Sequence, residues 1–329
     1  MRVVKSVPVE EIVCRGSIKD SDVSRLSKAF VSDQHLSEQD ADTLFAMTVA
    51  CPVQAPSWNR FFVDTVAGYV LRQMEPEGYV TAEKAAWLRQ RIVSGGRVRS
   101  SIEFDLLMNV IERARWVPLS LVALALDEIK AAVINGDGPL RAGKVTVRGI
   151  ILDAEVDLLR TLICAFGHGS SLPMTRTEAE VLFDISAATA ASVPPASWTE
   201  LYVQAVTNMA LSSAGFAAAS REAILRADQV RRHVDAPIET QIEDILMSVR
   251  ADYHRQSSEE RALSRLERQR IEIVTNEELD MGDSAWVAER LLRGRRRSPV
   301  EIAVVAHLHR ESLLSDEARP QQGRDGQAA

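Results

Sequence analysis

Apolar residues fall at Trp58, Phe61, Phe62, Thr65, Val66, Tyr69 and Val70, and again at Trp198, Leu201, Tyr202, Ala205, Val206, Met209 and Ala210. Both series follow the i, i+3, i+4, i+7, i+8 spacing of a helix with one face in a core. The two stretches also resemble each other residue by residue. Pro56-Ser57-Trp58-Asn59-Arg60-Phe61-Phe62-Val63 answers Ala196-Ser197-Trp198-Thr199-Glu200-Leu201-Tyr202-Val203, so the pattern predicts a helical element used twice.

The neighbouring segments pair in the same way. Gly16-Ser17-Ile18-Lys19-Asp20-Ser21-Asp22-Val23 matches Gly149-Ile150-Ile151-Leu152-Asp153-Ala154-Glu155-Val156. Each predicts a glycine turn, a buried isoleucine and an aspartate capping the next helix. That helix would bury Val23, Leu26 and Phe30 in one copy and Val156, Leu159 and Ile163 in the other. Leu36 to Phe45 matches Met174 to Phe183, with capping boxes expected at Ser37/Asp40 and Thr175/Glu178. A fourth helix is expected after Gly78-Tyr79-Val80-Thr81, with Lys84 to Arg89 answered by Arg221 to Arg226. Further on, Pro118 and Pro299 each open a helix near its first turn, placing Leu121, Leu124 and Ala125 against Ile302, Val305 and Ala306.

The expected architecture is all-α, with two tandem, sequence-related modules of about five or six helices each. Residues 1–15 read as a strand or extended N-terminal arm, 16–135 as the first module, 136–148 as a connection and 149–315 as the second. The second carries a polar insertion near 250–270, rich in Glu and Arg at helical spacing, which reads as a solvated helix or connector. Residues 316–329 have no apolar pattern and read as a disordered tail.

Composition agrees with helices. Of 329 residues 46% are hydrophobic but only 5% aromatic, with 16 glycines. The net charge of -7 excludes the chain as a whole from polyanion binding and confines such contact to a local basic patch. Three separated cysteines, Cys14, Cys51 and Cys164, form no CxxC and read as reduced, buried thiols. No apolar run reaches the roughly 20 residues that span a bilayer. A cytoplasmic protein is the expectation.

Candidate chemistry is sparse. The acid pairs Asp20/Asp22, Asp40/Asp42, Asp153/Glu155 and Glu178/Glu180 fall in first helical turns, where the helix dipole favours them. They lack the oxygen spacing of a calcium loop. His35 and His168 fall in corresponding turns, whereas His307 and His309 lie two apart and so on different sides of a helix. No GxGxxG, GxxxxGK[ST], HExxH or GxSxG occurs, and Ser94-Gly95-Gly96 lies between helices with no expected strand before it. The sharpest charged feature is Arg290, Arg293, Arg295, Arg296 and Arg297. It is read as a protein-contact or structural patch in preference to a nucleic-acid or acidic-membrane site, because no aromatic residues are interleaved to stack on bases.

Ile151 to Leu159 and Met174 to Phe183 carry a turn, an apolar residue, a Ser/Thr/Asp cap and an acid. In this they resemble the TerB-like (tellurite-resistance) helical proteins. The resemblance implies an all-helical fold and a metal-binding or stress-linked accessory role, and it assigns no site residues. The leading functional expectation is a non-enzymatic interaction or scaffold protein without a cofactor. Its alternatives are a TerB-like metal or small-ligand sensor and an enzyme with a cleft between the modules.

Overall fold

The computed structural model describes residues 9–33, 35–143, 147–163, 174–213, 246–247, 255–275, 286, 289–290, 300–302 and 304–305. The protein is mostly helical and divides into two compact units. One comprises Met1–Ala132 with Gly136–Thr146, the other Val133–Asn135 with Val147–Ala329.

The first unit opens on helix α1 (Val9–Arg15), where an extended arm is the sequence expectation. Its valines favour a strand by propensity, but Ile12 is 1% exposed, and Glu10, Glu11 and Arg15 sit at the ends that suit the helix dipole. The backbone turns at Gly16, in the left-handed region that glycine adopts without strain (φ 67°), into β1 (Ser17–Ile18). β1 pairs in parallel with β2 (Val53–Gln54). Between these strands run α2 (Asp20–Asp33) and α3 (Glu38–Ala50), and after them α4 (Pro56–Gly68).

Helix α4 is the centre of this unit. It packs on α2 and most extensively on α6 (Ser101–Arg113), and it continues as a π-helical turn over Tyr69–Gln73. Trp58, Phe62, Val66 and Val70 are fully buried, as the periodicity predicts. Phe45 of α3 meets Phe62 edge-on at 5.2 Å, and the Trp58 indole donates to Thr48 Oγ1 at 3.3 Å.

Thr81 caps α5 (Ala82–Ile92), accepting from the Lys84 amide. Lys84 is buried, and its Nζ donates to the carbonyls of Met74, Pro76 and Tyr79 at 2.7, 2.7 and 2.8 Å. This one ammonium therefore fastens the loop between the π-turn and α5. Gly95 and Gly96 form the two-residue turn of a hairpin, β3 (Val93–Ser94) against β4 (Arg97–Val98), with φ of 60° and 82°. Positive φ at both turn positions is what such a tight hairpin needs. A strand does precede these glycines, but it belongs to a hairpin and not to a phosphate loop. The fully buried Glu128 of α7 (Leu119–Asn135) holds the hairpin, accepting from Val98 N at 2.8 Å and from the Arg97 guanidinium. Gly136, at φ 75°, ends α7.

In the second unit the described elements are α8 (Asp153–Ile163), α9 (Arg176–Thr189), α10 (Ala196–Ser213) and α11 (Ser258–Thr275), with isolated helical residues at 246–247, 286, 289–290, 300–302 and 304–305. α10 buries the expected Trp198, Leu201, Tyr202, Ala205, Val206, Met209 and Ala210, and also Val203, Gln204 and Thr207. The expected counterpart helix at 221–226 and the tail at 316–329 lie outside the described residues.

Candidate interaction surface

The first-turn acids are the natural starting point, and their oxygens already serve the fold. Within each pair one acid caps its own helix and the other reaches to a neighbour. Asp22 accepts from Lys19 N at 3.0 Å, Glu155 from Leu152 N at 3.0 Å, Asp40 from Ser37 N at 3.1 Å and Glu178 from Thr175 N at 2.7 Å. Their companions Asp20 and Asp153 accept from Ser57 Oγ and Ser197 Oγ, each at 2.5 Å. The expected caps Asp20 and Asp153 thus give way to Asp22 and Glu155, because the acid at the third position can fold back onto the amide ahead of the helix. Both expected capping boxes are present.

Asp42 and Glu180 each receive an arginine. Arg91 of α5 donates to Asp42 at 2.6 Å and to Glu38 at 2.9 Å, with its guanidinium 4.0 Å over the Trp87 ring. Arg290 donates to Glu180 at 2.7 Å and to Asp184 at 2.5 Å and lies over the Phe183 ring. Trp87 packs edge-on against Phe45 at 6.2 Å, and Trp286 against Phe183 at 5.9 Å. Arg290, the first residue of the basic run, is therefore engaged by the α9 acids. Arg293, Arg295, Arg296 and Arg297 lie outside the described residues. Both carboxylates facing Arg290 are partly solvated, at 41% and 39% exposure, which screens the pairing. Arg290→Ala is accordingly expected to cost about 1 kcal/mol, read from the urea midpoint.

Three further features were not legible as sites. An open groove of about 810 Å³ runs between α2 and α4, where Asp20, Lys28, Arg60 and Asp64 are exposed around Phe61. On α10, Gln204 Oε1, Thr207 Oγ1 and Asn208 Oδ1 are buried without hydrogen-bond partners. They lie on the side of the helix away from Trp198 and Tyr202, and in sequence such polar residues look like a solvent face. Tyr202 itself lies against Ser186 and Glu301, which hydrogen-bond at 2.8 Å; burial, reinforced by the Glu301 charge, pushes the phenol well above its usual pKa.

The third feature is α11. A capping box of Ser257 and Glu260 opens it: Ser257 N donates to the carboxylate at 2.7 Å, and Glu260 N to the hydroxyl at 3.2 Å. The nearly all-polar segment carries Leu263 and Leu266, and Ile273 follows it just beyond 270; they are 64%, 61% and 80% exposed. At 3- and 7-residue spacings they form one apolar stripe along the helix.

Cys51 is buried, its thiol donating to Ile12 O and pushed up in pKa by burial, whereas Cys14 is exposed. His35 is exposed, and Cys164, His168, His307 and His309 lie outside the described residues. Among the described residues no three of His, Cys, Asp and Glu converge as metal ligands, and no helix is long and apolar enough to cross a membrane. No protein-family model, curated protein or solved structure matches the chain.

Proposed function

We propose that the chain is a non-enzymatic interaction or scaffold protein of the cytoplasm, and that α11 is its main contact element. The observation that carries this reading is the exposed Leu263–Leu266–Ile273 stripe on a well-capped helix. A helix that leaves its apolar residues in water forgoes the burial that normally stabilises it, and such surfaces mark contact sites. The basic segment Arg290, Arg293, Arg295, Arg296 and Arg297 is the secondary surface, with Arg290 as its anchor on α9.

The scaffold beneath is two copies of one module. Matched contacts support this: Ser57–Asp20 with Ser197–Asp153, the two capping boxes, and the Trp and Arg contacts on α3 and α9. They favour a register different from that read in the sequence. The residues answering Trp87 and Arg91 become Trp286 and Arg290, not those in Arg221 to Arg226. With the second copy one residue shorter in between, Val300, Glu301 and Val304 answer Ile102, Glu103 and Leu106, all buried, whereas the other register sets buried Leu121 against Ile302, 54% exposed.

The test is the double variant Leu263→Glu, Leu266→Glu. Its helical circular dichroism and melting should match the wild type, because both side chains are solvated, while proteins co-purified with the tagged chain from its native cell are lost. Unchanged recovery would refute the reading. A TerB-like sensor, the rival, predicts instead that the chain co-purifies with nothing and that its melting temperature falls on chelation.

A further inference from the structure

We propose that α11 pairs with α11 of a second copy of this chain, antiparallel, to form a dimer. This rests on the reading of α11 as a contact element and assigns its occupant from charge and spacing.

The helix is 18 residues long, about 27 Å at 1.5 Å per residue. Glu259, Leu263, Leu266, Arg270 and Ile273 recur at alternating four- and three-residue steps, the seam of a two-stranded coiled coil. Glu259, Leu263, Leu266, Arg270 and Ile273 are all exposed, so nothing among the described residues covers this face. In an antiparallel pair the two kinds of seam position face each other across a twofold axis. Leu263 then meets Leu266 of the second copy and Leu266 meets Leu263, giving two leucine layers. The same register sets Arg270 against the second copy's Glu259 and Glu259 against its Arg270, flanking the leucines with opposite charges, while Ile273 beyond them faces the second copy's Gln256. A parallel pair would instead stack Glu259 on Glu259 and Arg270 on Arg270, which like charges oppose. The face is therefore complementary to itself in one direction only, as a twofold interface requires. Sequence reading missed this because two leucines among so many Glu and Arg residues look like a solvated helix until their exposure and shared face are known.

The contact is small, at the weak end of specific interfaces (below about 1,200 Å²), so the dimer should be concentration-dependent. Sedimentation equilibrium of the full chain between about 1 and 100 µM should show the mean mass rising toward twice the chain mass. Leu266→Glu should weaken dimerisation about 100-fold without changing the circular dichroism. Glu259→Arg and Arg270→Glu should each weaken it about 10-fold, and the double reversal should restore it. A monomer across the range, or a Leu266→Glu chain that dimerises like the wild type, overturns the proposal. Single reversals that change nothing overturn the antiparallel arrangement, since a parallel pair already carries like charges. Failure here is separable from failure of the interaction reading: a monomeric chain that loses cellular partners in the Leu263→Glu, Leu266→Glu variant sinks only the self-pairing. A dimer whose cellular partners are unaffected by that variant sinks only the wider reading.

Discussion

Replacing Lys84 with methionine should destabilise the first unit by about 2 kcal/mol, measured as a lower urea midpoint. The substitution keeps most of the side chain's volume and removes only the ammonium. It leaves the carbonyls of Met74 and Tyr79 without that donor, while Pro76 O still accepts from the Tyr79 amide at 3.3 Å. Each part-buried acceptor left unsatisfied costs on the order of 1 kcal/mol. Arginine should not rescue the site, because its planar fork cannot aim three donors at carbonyls grouped around one ammonium. Burial lowers the Lys84 pKa against the opposing pull of the Glu75 charge, so the charged form is held chiefly by its hydrogen bonds. A Lys84→Met chain as stable as the wild type would show that the loop is held by other contacts.

The second large effect is a pH dependence placed on Glu178. The residue is 3% exposed; Oε2 accepts from the Thr175 amide and hydroxyl, and Oε1 is buried without a partner. Burial outweighs those two hydrogen bonds and pushes the pKa from 4.5 to about 7. The folded state therefore holds a proton that the unfolded chain has released anywhere between these values, and stability must fall as pH rises through that window. Below it both states are protonated and the cost is absent; above it the whole cost applies, on the order of 3 kcal/mol. Glu178→Gln keeps the capping geometry and removes the titration. The difference in unfolding free energy between variant and wild type should thus shift in the variant's favour by about 3 kcal/mol from pH 4.5 to pH 8. A pH-independent difference would mean that the carboxylate is charged and solvated near neutrality.

These two sites show what local sequence can and cannot disclose. The Thr175/Glu178 box was legible because both partners lie three residues apart, and the same holds for Ser37/Asp40. The Trp58 and Trp198 faces were legible because helical periodicity repeats a burial decision at every turn. Helix α1 was not, because seven residues give little periodicity and its valines point toward a strand; burial of Ile12 decides it. Lys84 looked like any exposed helix lysine, since its acceptors belong to a loop whose path local patterns do not fix. The grip of Arg91 on Glu38 and Asp42 joins residues about fifty positions apart and was equally hidden. A signal for the proposed counterpart did exist: Trp87 and Arg91 share the four-residue spacing of Trp286 and Arg290. The Leu-Arg pairs at 88–89 and 225–226 drew the alignment away from it. The α11 stripe was present in the letters too, but its value as a surface depends on exposure, which only the fold supplies.

Site-specific photo-crosslinking in the cell tests most directly whether the apolar stripe of α11 is occupied there. A photoreactive residue placed at Leu266, with a control at Arg265 off the stripe, should yield covalent adducts from position 266 and few or none from position 265. An adduct of twice the chain mass would identify a second copy as the neighbour, and one of another mass would identify a different protein. Equal yields at the two positions, or no adduct at 266, would contradict the account and leave α11 a solvated helix.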